Sequence, residues 1–113
     1  MEKISLNSTN CHDNSDTCKI LEYNFKNKVM NAALATITGR YPATGQVVNE
    51  ACAEVAYIIK GQGKIVLEGE TTELEVGDSL LINPGDRYYW DGNFEMLVVC
   101  SPAWYAEQHK EIE

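Results

Sequence analysis

Residues 77–90 read GDSLLINPGDRYYW, and this stretch decides the fold class. Residues 79–82 and 87–90 are short runs of aliphatic and aromatic side chains, which are typical of β-strands. Between them, Pro84 and Gly85 fit a type II turn, because proline presets the first central position and glycine accepts the positive φ of the second. The stretch therefore predicts a strand, a tight turn and a second strand.

The same signature continues on both sides of this stretch. Further strands are predicted at residues 20–25, 29–38, 53–60, 64–68, 71–76 and 94–100. The predicted turns between the later runs contain Gly61 with Gly63, Gly69, and Asp91 with Gly92. Eight or so short strands with little room for helix indicate an all-β protein, built as an antiparallel sandwich or barrel.

The two ends of the chain differ from this pattern. Residues 1–18 are mostly small, polar or acidic and have no hydrophobic period, so we expect a flexible polar arm followed by a single domain over residues 19–113. At the other end, Ser101 and Pro102 fit the start of a short closing helix, and Trp104 and Gln108 repeat at helical spacing. An extended tail packed by Trp104 is the alternative.

Composition excludes several classes of protein. The chain has 113 residues, of which 44% are hydrophobic and 23% charged, as in an ordinary globular domain. Its net charge of −8 without any Lys or Arg cluster argues against a nucleic-acid or membrane-surface partner. The first ten residues lack the apolar segment of a signal peptide, so we expect a cytoplasmic protein with its four cysteines reduced.

Two segments resemble the paired motifs of the cupin superfamily. In the first motif, the family has His-x-His, then Glu, then Gly seven residues later; here Glu54 and Gly61 reproduce the second half. Counting back from Glu54 places either Val48 and Glu50 or Val47 and Asn49 at the two histidine positions. In the second motif, Gly77, Asn83, Gly85 and Tyr88 stand where the family has Gly, Pro, Gly and His.

The resemblance implies a cupin-type antiparallel β-barrel, a jelly-roll-like double-stranded β-helix. It also implies that three of the four metal-binding positions have changed. The chain has only two histidines, His12 in the polar arm and His109 in the tail, and we place neither at the site. We therefore expect no metal and no other cofactor, and no histidine-metal dioxygenase or oxalate-degrading activity.

Glu54, Tyr88 and Trp90 are the leading candidate site residues. The resemblance implies that the face of Glu54 looks into the barrel, where a carboxylate needs a partner or its pKa rises. Glu54 is then a general base or a ligand acceptor, or else a structural residue bonded to Tyr88, Asn49 or Arg40. Tyr88 and Trp90 share one strand face and would form either a stacking wall for a ligand or part of the core.

Other candidate residues are weaker. Arg40 and Glu50 are expected near the barrel mouth, where Arg40 could bind a carboxylate or phosphate, although solvated loop charges are the simpler interpretation of both. Cys52 is expected to be a core thiol rather than a nucleophile. Residues 11–18 contain two cysteines, a histidine and two aspartates, but the spacing is poor for zinc.

The outward face of the strand that carries Glu54 is also apolar. The side chains of Val55, Tyr57 and Ile59 lie on the face opposite Glu54. Closing a sheet into a barrel buries only the inner face of the sheet, so this outer face remains uncovered. A second layer must come from the N-terminal strand, the tail or another subunit. A homodimer is the most economical of these.

Two functional hypotheses follow. The first is a binding protein for a small molecule, such as a sugar or an organic acid. The alternative is a metal-independent isomerase, epimerase or lyase that acts on a sugar derivative, with Glu54 as base and Tyr88 as acid. A third arrangement, a metal held by Glu50, Glu54 and Tyr88, ranks last because it provides few hard ligands. The sequence alone leaves open whether the protein is an enzyme.

Overall fold

Nine strands form one curled antiparallel sheet in the computed structural model, which describes residues 1–113. The strands are β1 (Asn10–Ser15), β2 (Cys18–Tyr23), β3 (Asn31–Tyr41), β4 (Gln46–Asn49), β5 (Ala53–Leu67), β6 (Glu70–Glu75), β7 (Ser79–Ile82), β8 (Arg87–Ser101) and β9 (His109–Ile112). The predicted all-β antiparallel architecture is confirmed. The structure contains no helix with the length and hydrophobicity of a membrane span.

Strand β8 organises the sheet. It pairs with β3 and β4 along one edge and with nearly the whole of β5 along the other. The inner side of β5 carries Glu54, Ala56 and Ile58, and that of β8 carries alternate residues from Tyr88 onward. Because side chains alternate across a strand, this register places the predicted inner face of each strand inside the curl, where 17 buried residues form the core.

The predicted Pro84-Gly85 turn is confirmed. The N–H of Asp86 donates to the carbonyl of Asn83 at 3.1 Å, and Gly85 has a φ of +90°. Positive φ at the second central position is the mark of a type II turn. After this turn the chain re-enters the sheet as β8, with the Tyr88 side chain on the inner face.

Two predicted glycine turns are wrong. The chain does not reverse at Gly61 and Gly63 or at Asp91 and Gly92; instead β5 and β8 each run continuously through these positions. Gly63 lies opposite Gly92, and a Cβ on Gly63 would lie 2.6 Å from the carbonyl oxygen of Asp91. These glycines therefore permit close approach of two long, bent strands rather than a change of direction.

Both ends of the chain are extended. Residues 10–15, assigned to a flexible arm, form β1, which pairs with β2 at the edge of the sheet. Of the two alternatives for the C-terminus, the closing helix is wrong, and the structure has an extended tail: Trp104 packs against the core, and a single 3₁₀ turn at Ala106–Gln108 leads into β9, which pairs with β4. The physical reason is the same at both ends. Backbone hydrogen bonds to a sheet edge need no apolar side chains, whereas a short isolated helix is only marginally stable.

The outer face of β5 is not covered by any part of the chain. Val55, Tyr57 and Ile59 are each more than 40% exposed, and Leu81 of β7 and Leu97 of β8 are exposed beside them. The register places Leu81 next to Val55 and Leu97 next to Tyr57. Neither the N-terminal strand nor the tail supplies the second layer expected for this face.

Candidate functional site

A cavity of about 60 Å³ opens inside the curl of the sheet. Its wall is largely apolar, and its principal polar and aromatic side chains are Glu54, Tyr88, Trp90, Tyr41, His109 and His12. A concave apolar space with a few convergent polar groups is the usual form of a small-molecule site. The site is narrow, so it accommodates part of a molecule rather than a whole large ligand.

Glu54 lies on the wall of this cavity, as its inward position on β5 predicts. It is 7% exposed, and its Oε1 accepts hydrogen bonds from Asn49 Nδ2 at 3.3 Å and from the Cys100 thiol at 3.5 Å. The one contact of salt-bridge length in the chain lies elsewhere, between the side chains of His12 and Glu22, so Glu54 has no cationic partner. Burial raises the pKa of Glu54 to about 7, and the two hydrogen bonds only partly oppose that rise.

Tyr88 and Trp90 lie beside Glu54 on the inner face of β8. Asn49 Nδ2 donates to the Tyr88 hydroxyl oxygen at 3.3 Å, and the Tyr88 and Trp90 rings meet edge to face with centroids 5.6 Å apart. Burial raises the pKa of Tyr88 well above its ordinary value, and the nearby negative charge of Glu54 raises it further. Trp90 both lines the cavity and packs edge to face against Phe94 of the core.

Arg40 and Glu50 are not part of this arrangement. Arg40 donates from Nη2 to the Gly45 carbonyl at 2.9 Å, and its guanidinium stacks on the Tyr89 ring at 3.8 Å. Tyr89 points to the opposite side of β8 from Tyr88. Glu50 is exposed. Neither residue lines the cavity, so the structure separates both from Glu54 and Tyr88.

Asn49 connects the site residues, and its role decides between the two motif registers left open by the sequence. Its side chain is 1% exposed and donates to both Glu54 and Tyr88. The register that places Val47 and Asn49 at the two histidine positions therefore matches the geometry. In the other register, the second position would fall on Glu50, which faces solvent.

Both histidines lie at the cavity, which corrects their placement outside the site. His109 Nε2 lies 2.9 Å from the Tyr41 hydroxyl, and His109 Nδ1 lies 2.8 Å from Asn49 Oδ1. His12 Nδ1 lies 3.8 Å from Glu22 Oε1, and the His12 ring lies 5.9 Å from that of Trp104. The sequence gives no local signal for this, because it is the pairing of β1 and β9 with the sheet that returns both ends of the chain to the cavity.

The donors at the family's metal-binding positions do not fit a histidine-bound metal. Asn49, Glu54 and Tyr88 offer an amide, one carboxylate and a phenol, where such an ion prefers imidazoles. No three His, Cys, Asp or Glu side chains anywhere in the chain are grouped to hold a metal. The potential metal ligands in residues 11–18 are also separated, since Cys11 is exposed and Cys18 is buried.

The buried thiols are protonated at neutral pH. Burial raises the pKa of Cys18 to about 12, and burial likewise raises the pKa of Cys100 and Cys52. Cys52 is fully buried with its thiol 3.9 Å from the Ala103 carbonyl, as expected for a core residue. Cys100 differs from its predicted core role only in that its thiol donates to Glu54.

Several solved structures share this architecture. Streptomyces PAC13 solved with uridine has a TM-score of 0.88 and 16% identity, covering 100% of this chain and 92% of that one. PAC13 is described as a nucleoside dehydratase. Ectoine synthase from P. lautus has a TM-score of 0.78 and 16% identity, covering 100% of this chain and 91% of that one.

More distant is KdgF from Halomonas sp., with a TM-score of 0.68 and 17% identity, covering 85% of this chain and 90% of that one. At these identities the likeness concerns the fold alone. No curated protein matches the sequence. The model of the family described as Cupin domain matches residues 42–100, which is more than half of the chain. This protein therefore belongs to the cupin superfamily.

Proposed function

We propose that this protein is a lyase that removes water from a small hydroxylated carbonyl compound, such as a sugar derivative, with Glu54 as base and Tyr88 as acid. The observation that carries the proposal is the position of the Glu54 carboxyl group. It lies buried on the cavity wall without a cation beside it, and it shares the amide of Asn49 with the Tyr88 hydroxyl.

The base in this scheme is the carboxylate of Glu54. With a pKa of about 7, it is present in both protonation states near neutral pH, so it can accept a proton and release it again. It removes the proton from a carbon next to the substrate carbonyl. The electron pair of that C–H bond forms a carbon–carbon double bond, and the bond to the leaving hydroxyl group breaks.

The acid is the phenol of Tyr88, which protonates the leaving oxygen to give water. The negative charge of Glu54 is one of the causes that raise the pKa of Tyr88. When Glu54 takes up the substrate proton, that charge disappears and Tyr88 becomes a stronger acid at the moment when its proton is needed. Proton transfer from Glu54 to the Tyr88 phenolate, carried by the released water, restores both groups.

The lining of the cavity supports a neutral substrate. No Lys or Arg side chain borders it, while the carboxyl groups of Glu22 and Glu54 do. An organic acid would therefore place its carboxylate without a cationic partner, which is costly in a buried site. A sugar or another uncharged hydroxylated compound suits the aromatic walls and the few polar groups.

The likeness to PAC13 supports elimination over isomerisation. That protein is described as a dehydratase and is solved with uridine, a molecule that carries a sugar. Its fold matches the whole of this chain. Removal of water needs an acid at the leaving oxygen as well as a base at carbon, and Glu54 and Tyr88 provide that pair.

Binding without turnover is the second candidate function. It is favoured by the small volume of the cavity and by the complete hydrogen bonding of the buried polar side chains, none of which lacks a partner. In this case Glu54 and Tyr88 would accept and donate hydrogen bonds to a ligand. The two candidates differ in whether a bound molecule is changed.

Ligand binding is expected to change the intrinsic tryptophan fluorescence strongly, because both tryptophans of the chain, Trp90 and Trp104, line the cavity. Titration of uridine and of a panel of β-hydroxy aldehydes and ketones identifies the molecules that bind. Proton NMR of these molecules in deuterated water then follows deuterium incorporation beside the carbonyl and formation of the unsaturated product. Binding without either change would exclude the lyase and leave the binding protein.

We also propose that the exposed apolar face of β5, β7 and β8 binds the same face of a second copy of this chain. Val55, Tyr57, Leu81 and Leu97 adjoin one another across three strands. The chain carries a net charge of −8, yet these side chains are uncharged, so a second copy can approach here without direct repulsion. Two identical patches related by a two-fold axis complement each other.

Sedimentation velocity is expected to show the wild-type chain at twice its 12.6 kDa mass and the Leu81→Lys variant at the monomer mass. A charge at this position would be buried without a partner in the dimer. The control is Leu6→Lys, which changes an equally exposed leucine outside the patch. A monomeric wild-type protein at high concentration would contradict the proposal.

A further inference from the structure

A series of hydrogen bonds with fixed polarity begins at the backbone next to β5. The N–H groups of Ala51 and Cys52 donate to Gln108 Oε1 at 3.1 and 3.2 Å. A backbone N–H group can only donate, so this contact fixes the orientation of the Gln108 amide. Its Nε2 therefore donates to Asn49 Oδ1, which lies 2.9 Å away.

The polarity passes through Asn49 to His109. Since Asn49 Oδ1 accepts from Gln108, Asn49 Nδ2 is the atom that donates to Glu54 and Tyr88. The same Oδ1 lies 2.8 Å from His109 Nδ1. An amide oxygen can only accept, so Nδ1 of His109 carries a hydrogen.

The second nitrogen of His109 then sets the state of Tyr41. Burial lowers the pKa of His109, so the ring is neutral and Nε2 holds a lone pair. The Tyr41 hydroxyl, 2.9 Å from Nε2, must therefore donate its proton there. The Tyr41 oxygen keeps two lone pairs: the side-chain amide of Asn14 is placed to donate to one of them, and the other is left for a group in the cavity, which the Tyr41 side chain borders.

Tyr88 is in the opposite state. Its oxygen accepts from Asn49 Nδ2, so its own hydroxyl proton is free to be donated. The two phenols that line the cavity thus differ in function: Tyr88 presents a donor and Tyr41 an acceptor. The difference arises from the backbone of residues 51 and 52, three side chains away from Tyr41.

We propose that Tyr41 is a committed hydrogen-bond acceptor for a hydroxyl group of the bound molecule, and that His109 is the positioning residue that keeps it in this state. The inference rests on the proposed function only in taking that molecule to be the substrate. It deepens the function by requiring a second hydroxyl group on the substrate, distinct from the one that leaves. A substrate with an ether or a carbonyl oxygen at that place would put its own acceptor against the Tyr41 oxygen, with no hydrogen between them, and would be rejected.

The first test needs no substrate. Heteronuclear NMR of protein with isotope-labelled histidine reports which ring nitrogen carries the hydrogen, and the His109→Gln variant identifies the signals of His109. The expected result is a hydrogen on Nδ1 and none on Nε2. A hydrogen on Nε2 would overturn the inference even if the protein were shown to be a lyase.

The second test compares uridine with its deoxy analogues, each of which lacks one ribose hydroxyl, using tryptophan fluorescence. In the wild-type protein, loss of the hydroxyl that Tyr41 accepts is expected to weaken binding about fivefold to tenfold. In Tyr41→Phe that discrimination should disappear, whereas in Tyr88→Phe it should persist. Unchanged discrimination in Tyr41→Phe would overturn the inference, and neither outcome depends on turnover.

Discussion

The Glu54→Gln variant is expected to lose turnover by about 100-fold to 10,000-fold while it still binds the substrate, because an amide cannot take up a proton as a base. The substituted side chain would keep an oxygen that accepts from Asn49 and Cys100, so the hydrogen bonds around it survive. The measurement is kcat, together with the rate of deuterium incorporation into the substrate. KM or Kd should change far less than kcat.

The matched control for this variant is Glu73→Gln, which removes the same charge from an exposed position on β6. Its turnover should equal that of the wild type. Retention of wild-type kcat by Glu54→Gln would remove Glu54 from catalysis and contradict the proposed mechanism. Loss of binding as well as turnover would instead indicate that Glu54 acts mainly as a ligand acceptor.

The same substitution is expected to stabilise the protein at high pH. The folded state raises the pKa of Glu54 from 4.5 to about 7, so the folded protein holds a proton that the unfolded chain releases between these values. The contribution of Glu54 is therefore fully present below pH 4.5 and is lost as the pH rises through about 7. Above that pH, ionised Glu54 costs about 3 kcal/mol of the free energy of unfolding.

Denaturant unfolding of the wild type and of Glu54→Gln over the range pH 4 to about 9 measures this effect through their difference. His109 acts in the opposite direction, because its lowered pKa favours folding as the pH rises, and the difference between the two proteins cancels its contribution. The stability of Glu54→Gln relative to wild type should rise with pH by about 3 kcal/mol. A difference independent of pH would show that Glu54 titrates normally.

Much of the fold could be predicted from local patterns. The Pro84-Gly85 turn and the alternation around Glu54 and Tyr88 each reflect a constraint that acts over a few residues, so the residues that share a face on β5 and on β8 follow from the sequence, whereas the choice of the inner face for Glu54 follows from the cupin resemblance. The role of a glycine could not be predicted from its local sequence. Gly63 and Gly92 have the spacing of hairpin turns, and their use for close strand approach depends on a partner strand that the local sequence does not specify.

The site was predictable only where it lies on regular strands. Strand alternation indicates that Tyr88 and Trp90 share a face, and the cupin resemblance implies that the face of Glu54 looks inward; all three side chains line the cavity. Asn49 was weighed only as a hydrogen-bond partner, since its place in the motif depended on an undecided register. His109 was missed, because its contact with Asn49 follows from the pairing of β9 with β4 across 60 residues of sequence.

Arg40 is the opposite case: the sequence made it a candidate site residue, but its side chain lies away from the cavity. It lies near the expected barrel mouth, but strand alternation places Tyr89 on the outer face of β8, and the guanidinium stacks there. A long, flexible side chain has several partners within reach, so its direction depends on packing that no short motif encodes.

The protonation of Glu54 is the central claim, and carbon NMR of the side-chain carboxyl groups as a function of pH tests it most directly. One carboxyl signal, absent from the Glu54→Gln spectrum, should titrate with a midpoint near pH 7. A midpoint near the ordinary value of 4.5 would show that Glu54 is solvated or paired, and would contradict its role as the base of this site.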